Sequence, residues 1–527
     1  MVILCLNRAY LNILKTTIQS LNLNMSLLKK NIAANFAGSI WQALIGLVFI
    51  PLYIKFMGIE SWGLIGIFAT LQVIFGLLDM GLSSTLNREM ARLSVLPCKE
   101  QEMRNLVRTL EVPYWCVTIF VGITIVLLSP IIAHHWVKAG QLSLKIIEQA
   151  LLIMGFVIAL QMPAGFYSGG LMGLQKQVLL NEINISISTL RSAGAVLILW
   201  LVSPTIQAFF FWQIVISITN AFLLAFFLWR RLPLGEKKAV FQKQLIKGIW
   251  RFTAGMSGIS VLAVILTQLD KIILSKILSL EMFGYYMLAS MLAMGLGRLF
   301  TPVFFSIYPR FTQLVAINDQ DGLKKLYHKS CQFMSVLTLP VAIVIALFSY
   351  EIILLWTQNP ATAEKTYLLV SILICGTALN GLMNPPYALQ LAFGWTKLSV
   401  FKNIIAVIIL VPLIIYMAMR YGATGAASVW LFLNIGYVFF EIPIMHRRLL
   451  RKEKWRWYWQ DVGVPLIAGL SLAGLGRLFF SGTTSQFMML LYLIVISVLT
   501  LGITLISVPT MRSILYGQLL KIKLNFS

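Results

Sequence analysis

Residues Leu262–Arg310 read LAVILTQLDKIILSKILSLEMFGYYMLASMLAMGLGRLFTPVFFSIYPR. Two apolar runs flank a short connector, and the first run carries Asp270 and Lys271 side by side. A charge inside an apolar membrane run costs roughly 2.5–3.5 kcal/mol on insertion scales, so it persists only where it pairs or faces a wet cavity. The stretch is also a second copy of an earlier one. Glu60, Trp62, Gly63 and Leu71 are answered by Glu281, Phe283, Gly284 and Leu292, each 221 positions later, and Lys55 and Lys276 keep that spacing.

The surrounding chain has the same apolar character. Of 527 residues, 59% are hydrophobic and 11% charged, against roughly 25% charged in soluble domains. The apolar residues come in runs of about 20, the length that crosses a ~30 Å hydrocarbon core as a helix. β-Barrel alternation is absent. The sequence therefore predicts an all-α polytopic membrane protein of about fourteen transmembrane helices. Spans are expected near 33–55, 62–81, 113–133, 147–169, 181–203 and 207–229, then 252–275, 284–308, 333–356, 367–392, 398–418 and 423–445, with a last pair near 462–480 and 487–508.

The net charge of +24 does not mark a nucleic-acid binder, because Lys and Arg lie in short loops between apolar runs and no basic soluble domain is present. Arg88–Arg108, Arg230–Arg251, Arg310–Lys329 and Arg447–Arg456 enrich one side, whereas Lys138, Lys145, Lys365 and Arg420 are sparse on the other. The positive-inside rule then puts both termini in the cytoplasm. Trp455, Trp457 and Trp459 read as an interfacial belt. Residues 1–24 lack the features of a cleavable signal, and read as an interfacial segment or as an extension upstream of a start at Met25.

The repeat continues past its first hairpin. Pro163 answers Pro385, Lys176 answers Lys397 and Asn181 answers Asn403, all within one residue of the same shift. Six spans thus recur as six in the same orientation, which implies two six-helix lobes related by a pseudo-two-fold axis along the membrane normal, plus a C-terminal helix pair. The expected organisation is an N-terminal segment 1–28, an N-lobe 29–230, a cytoplasmic linker 231–250 and a C-lobe 251–447. A basic loop 448–461, the helix pair 462–508 and a cytoplasmic tail 509–527 complete it. Pro51, Pro163, Pro302, Pro340 and Pro385–Pro386 mark kinks. Gly165, Gly169, Gly170, Gly173, Gly295 and Gly297 are expected at close helix contacts.

Charges within the spans are the candidate site. Arg191 interrupts the fifth span, Asp270 and Lys271 the seventh, and Arg298 the eighth, while Asp79 and Lys55 sit at span ends. Glu351 and Glu441 read as ordinary paired or interfacial charges. Arg191, Lys271 and Arg298 outnumber the acids near them, which points to an anionic partner outside the chain, with Lys55 as a further candidate. A phosphate or diphosphate suits arginine, whose planar fork takes two oxygens at once. Asp270 and Asp79 are candidates for positioning these cations or binding a coupling cation. Five scattered cysteines and the His134–His135 pair carry no metal-ligand spacing. No phosphate loop, H-E-x-x-H or G-x-S-x-G motif occurs, and the loops are too short for a catalytic domain, so no enzyme, metal or cofactor is expected.

Three segments carry a family resemblance. NIAANFAGSIWQALIGLVFIPLYIKFMGIESWGLIGIFATLQVIFGLLDMGLSSTLNREMARL, GLMGLQKQVLLNEI, and QLDKIILSKILSLEMFGYYMLASMLA followed by YPRF occur in order over residues 29–450. They resemble bacterial polysaccharide-biosynthesis flippases of the O-antigen translocase type, in the multidrug/oligosaccharidyl-lipid/polysaccharide exporter superfamily. The resemblance implies two helical bundles around a central cavity in the bacterial inner membrane. It implies flipping of undecaprenyl-diphosphate-linked oligosaccharide, for O-antigen, capsule or exopolysaccharide, by alternating access. Cationic cavity residues are the family expectation, carried here onto Arg191, Lys271 and Arg298, of which only Lys271 lies in a matched segment. A proton or sodium gradient, or removal of product on the far side, would drive the cycle, with a polysaccharide polymerase and a chain-length regulator as protein partners. A multidrug exporter of the same superfamily and a non-transporting component of glycan assembly are the competing readings.

Overall fold

The structure, a computed structural model, describes residues 30, 34–35, 37–79, 81–94, 96–235, 237–245, 264–265, 267–395, 397–480, 482 and 485–512. The expected segment 1–28, most of the first half of the seventh span and the end of the tail lie outside the described residues. Among these, secondary structure is helical apart from an isolated bridge between Lys138 and Ser279. Eleven helices are long and apolar enough to cross a membrane. The all-α membrane architecture is as the sequence predicts.

The chain divides into two compact units, residues up to 137 with 141–265, and residues 138–140 with those from 266 onward. The first holds α1 (Ala37–Val48), α2 (Ile50–Gly76), α3 (Leu82–Leu93), α4 (Glu100–His135), α5 (Leu144–Gly173), α6 (Gln177–Leu201) and α7 (Ile206–Arg231). Gly58, at φ +80°, breaks α2 where the first span ends and the second begins, a conformation that a Cβ disfavours. A 3-10 turn, Leu77–Asp79, ends α2. Ser143 and Thr205 cap α5 and α7 by accepting from the Ile146 and Ala208 amides.

The core of this unit packs α3, α4, α5 and α7 around Leu86, Met90, Tyr114, Phe166 and Leu228. Two glycines of α5 permit that contact. A Cβ on Gly169 would stand 2.4 Å from the Ser83 carbonyl oxygen, and one on Gly173 2.5 Å from that of Asn87. Helix α4 begins well before the apolar run that announces it. Its polar first turns are met by residues 233–235 and 237–242. The Lys237 amide donates to Gln101 Oε1 (3.0 Å), that of Val240 to Asn105 Oδ1 (3.0 Å) and that of Gln242 to Thr109 Oγ1 (2.9 Å). Gln101, Asn105 and Thr109 fall four residues apart, on one helix face.

The second unit contains α8 (267–277), α9 (Leu280–Gly295), α10 (Phe300–Ala316), α11 (Gln320–Leu347), α12 (Ser349–Thr357), α13 (Pro360–Leu382), α14 (Asn384–Ala392) and α15 (Lys397–Gly436). A π-helical segment, Tyr437–Glu441, leads into α16 (Ile442–Arg448). The last helices are α17 (Lys454–Phe479), itself π-helical over Trp457–Gly463, and α18 (Gln486–Ser507). Gly422 (φ +62°) divides α15 where the eleventh and twelfth spans meet. Pro385 and Pro386 open α14 just after the break at Met383, which interrupts the tenth span, Pro360–Ala392, where the prolines are expected to bend it. Ser279, Asp319 and Asn359 cap α9, α11 and α13. Trp457 is fully buried while Trp455 and Trp459 are exposed, so the expected tryptophan belt loses its middle member to the core.

The repeated glutamates are structural. Glu60 is buried and accepts from the amides of Gln141 (2.9 and 3.0 Å) and Leu142 (2.9 Å), pinning the approach to α5. Glu281 pairs with Lys365 Nζ at 2.6 Å, near the start of α13. The same repeat position thus anchors the first hairpin in each unit.

Candidate functional site

The candidate charges divide between the two units, and each unit places its own. In the first, Arg191 is half-buried on α6. Helix α6 is held along α1 and α2 by Asn181 to Asn35 (2.6 Å), Trp41 to Thr189 (2.9 Å) and the Tyr53 hydroxyl to the Ser192 carbonyl (3.1 Å). Tyr53 is the aromatic neighbour of Arg191, and no described carboxylate lies within ion-pair distance of its guanidinium. Lys55 is exposed, one turn before the break at Gly58, and has no ion pair among the described residues. Asp79 caps α3 locally. Its carboxylate accepts from the Ser83 hydroxyl (2.5 Å) and lies 3.4 Å from the Ser83 amide.

In the second unit the neighbours Asp270 and Lys271 do pair. Lys271 is 5% exposed. Its Nζ stands 3.3 Å from Asp270 Oδ1 and donates to the Thr267 carbonyl at 3.0 Å. The Tyr286 hydroxyl of α9 donates to Asp270 Oδ2 at 2.7 Å. Of the roles expected for Asp270, holding Lys271 in place is the one this geometry provides. Adjacent helical residues do not face each other, but the long lysine stem folds back one turn and returns its ammonium to the carboxylate. Asp270 also lines a small cleft between α8, α9, α13 and α15, where it is the one charged lining residue among Thr267, Ser290, Met294, Thr377 and Trp430 and their apolar neighbours.

Arg298 differs. It lies in a 3-10 turn, Leu296–Leu299, that separates α9 from α10. The turn falls at the repeat position of Leu77–Asp79, so the second helix of each unit breaks where its candidate charge sits. Arg298 is exposed, with no described carboxylate within ion-pair distance. Beyond it, the exposed face of α10 carries Thr301, Ser306, Arg310, Thr312 and Gln313 together with Pro302, Phe305 and Pro309, opposite the buried Phe300, Val303, Ile307, Phe311 and Leu314. Two other helix faces carry runs of exposed apolar residues. α4 presents Ile119, Phe120, Ile123, Leu127 and Ile131, and α15 presents Phe401, Ile404, Ile405, Ile408 and Ile409. Those faces suit acyl chains; the polar residues beyond Arg298 suit water or a polar ligand. Gly295 and Gly297, expected at a close helix contact, have open space where a Cβ would stand. They border the turn that presents Arg298.

The other span charges are neutralised in place. Glu351 pairs with Arg477 (2.6 Å), and Glu441 with Lys402 (2.7 Å) and Gln390 (2.8 Å). Tyr286, Tyr53 and Lys402 carry no signal in the sequence, because each is brought to its partner by packing between helices.

The sequence profile described as polysaccharide biosynthesis protein matches residues 28–315, and one described as MatE matches residues 256–417. A Shigella flexneri protein named "Putative O-antigen transporter" is 22% identical over 401 residues, covering 76% of this chain and 93% of that protein. Among solved structures, the lipid II flippase MurJ in an inward closed conformation shares the fold at a TM-score of 0.66 and 15% identity, over 93% of this chain and 99% of that one. An inward-facing multidrug resistance MATE family transporter of the MOP superfamily does so at 0.60 and 13%, over 77% and 96%. With its membrane helices, its fold and a family profile over more than half its length, the chain is a multi-pass membrane protein that belongs to the polysaccharide biosynthesis protein family, in the multidrug/oligosaccharidyl-lipid/polysaccharide exporter superfamily.

Proposed function

We propose that this protein flips a lipid-linked oligosaccharide, joined through undecaprenyl diphosphate, across the bacterial inner membrane by alternating access. The observation that carries the reading is Arg298, an exposed arginine without a described acid partner, at the head of a helix face on which Thr301, Ser306, Arg310, Thr312 and Gln313 are exposed among Pro302, Phe305 and Pro309. A guanidinium there matches the diphosphate, and the polar residues beyond it match the hydroxyls of a glycan. Arg191 is the corresponding cation of the first unit, and Lys55 an accessory one. Lys271 and Asp270 act as a pair, with Asp270 the remaining candidate for a coupling proton or sodium ion. The repeats 29–230 and 251–447 are the rocking bodies, both termini are cytoplasmic, and polymerase and chain-length regulator are the expected partners. The relatives named above support transport over enzymatic chemistry.

The double variant R191Q/R298Q tests this. A charge-assisted contact contributes about 1.5–3 kcal/mol, so losing two lowers export by at least ~100-fold while membrane protein level holds, and lipid-linked glycan accumulates on the inner leaflet. Normal export in that strain overturns the cationic-site reading. A second reading, export of cationic drugs, draws on the MatE match and on the apolar cleft with Asp270 as its single charge. It requires drug hypersensitivity with normal surface glycan in a deletion strain.

A further inference from the structure

The transport reading makes no use of a buried polar cluster that fastens α17 and α18 to α11. His328 of α11 is 2% exposed, and both of its ring nitrogens meet carboxylates. Nδ1 lies 2.5 Å from Asp461 Oδ2, and Nε2 lies 3.1 Å from Glu453 Oε2. Asp461, in the π-helical part of α17, is fully buried, and its other oxygen accepts from Gln332 Nε2 at 2.9 Å. Gln332 in turn accepts from the Thr510 hydroxyl, just past α18, at 2.5 Å. One continuous network therefore links α11, α17 and the end of α18.

The contacts fix a proton count. A carboxylate oxygen without a proton only accepts, and a neutral imidazole donates from one nitrogen only. Two nitrogen–carboxylate contacts need a proton in each. Neutral His328 with two ionised carboxylates supplies one. The arrangement holds one proton more, whether it resides on the imidazole or on a carboxylate. The nearby His446 shows the contrast. Its Nδ1 donates to the Ile442 carbonyl at 2.9 Å, and its Nε2 is left to accept from the Tyr327 hydroxyl at 3.3 Å. One proton satisfies that ring.

We propose that His328, Asp461 and Glu453 form a proton-binding site that clamps the C-terminal helix pair to α11, and that loss of its proton releases the pair. The extra proton balances charge as well as geometry: two carboxylates against one imidazolium leave a single negative charge, which Arg456 meets at 3.9 Å from Glu453. The surrounding titratable and charged groups are Tyr327 and Cys331 on α11, His446 on α16, Lys454 and Arg456 on α17, and Glu441, whose charge Lys402 neutralises. None of these has a free carboxylate or amine aimed at His328. Glu453, whose side chain is 18% exposed, is the route by which the proton enters and leaves. The inference does not depend on what the protein transports.

The test reads the clamp directly. A reporter cysteine replaces Val508, fully buried at the end of α18, in a background with the native cysteines changed to alanine. Its labelling by a maleimide is measured in nanodiscs from about pH 6 to about pH 10, a range that spans ordinary histidine ionisation, relative to the denatured protein at each pH. If opening releases one proton, protection falls by up to about tenfold per pH unit on the alkaline side, the one-proton linkage slope. In H328Q the slope disappears. Flat protection across the range in the reporter chain that keeps His328, Asp461 and Glu453 overturns the proposal, and so does an unchanged slope in H328Q. The first criterion leaves those three residues in place, so it decides the matter even where H328Q fails to fold.

Discussion

The Asp270–Lys271 pair permits a quantitative test of whether it is a structural clamp. Removing one member of a buried ion pair costs about 3–5 kcal/mol, whereas replacing both with neutral groups of similar volume is close to neutral. Asp270→Asn belongs near the upper end, because it leaves an ammonium at 6% side-chain exposure without a counter-charge, bonded only to neutral oxygens such as the Thr267 carbonyl. Lys271→Met belongs near the lower end, because Asp270 is 25% exposed and keeps the Tyr286 hydroxyl. The double variant should lose about 1 kcal/mol or less. The cycle then gives a coupling energy of at least ~3 kcal/mol, a shift of more than 100-fold in the unfolding equilibrium. Reversible unfolding in mixed SDS micelles measures all four proteins. A coupling below about 0.5 kcal/mol would show that the two charges are independent, and Lys271 would return as a free cation available to substrate.

Two further outcomes follow from the anchors described above. Glu60→Gln should cost about 2 kcal/mol in the same assay, because a buried carboxylate loses charge-assisted bonds from two amides. Glu281→Gln should cost under about 1 kcal/mol, its ion pair with Lys365 being largely exposed; the reverse order would refute the assignment of the first as the tighter anchor. Asn105→Ala removes one rung of the strap along α4, worth about 1 kcal/mol, and should raise trypsin cleavage after Lys237 and Lys238 roughly 5-fold. An unchanged cleavage rate would mean that the strap is held elsewhere.

Much of the fold is legible without coordinates, for a definite physical reason. Hydrocarbon demands that backbone groups be satisfied within a segment, so a run of about 20 apolar residues must be helical. The duplication is visible in the residues themselves, and the breaks at Gly58 and Gly422 fall in the gaps between the expected spans. Helix extent is less legible where polar residues continue a helix beyond the apolar core, as in α4, since hydropathy sees only the lipid-matched part.

The charges show where the sequence stops. By itself it determined that this is a duplicated helical membrane protein with a handful of costly ionisable groups within its spans. Tertiary structure alone decided which of them are spent. Lys271, Asp79, Glu351 and Glu441 are bonded in place, Arg298 heads a face with exposed polar residues, and His328, outside every sequence expectation, is buried between two carboxylates. The reason is range. The preference of a segment for lipid is summed over neighbours in the chain, whereas pairing of a charge depends on contacts of a few ångströms between residues as far apart as His328 and Asp461.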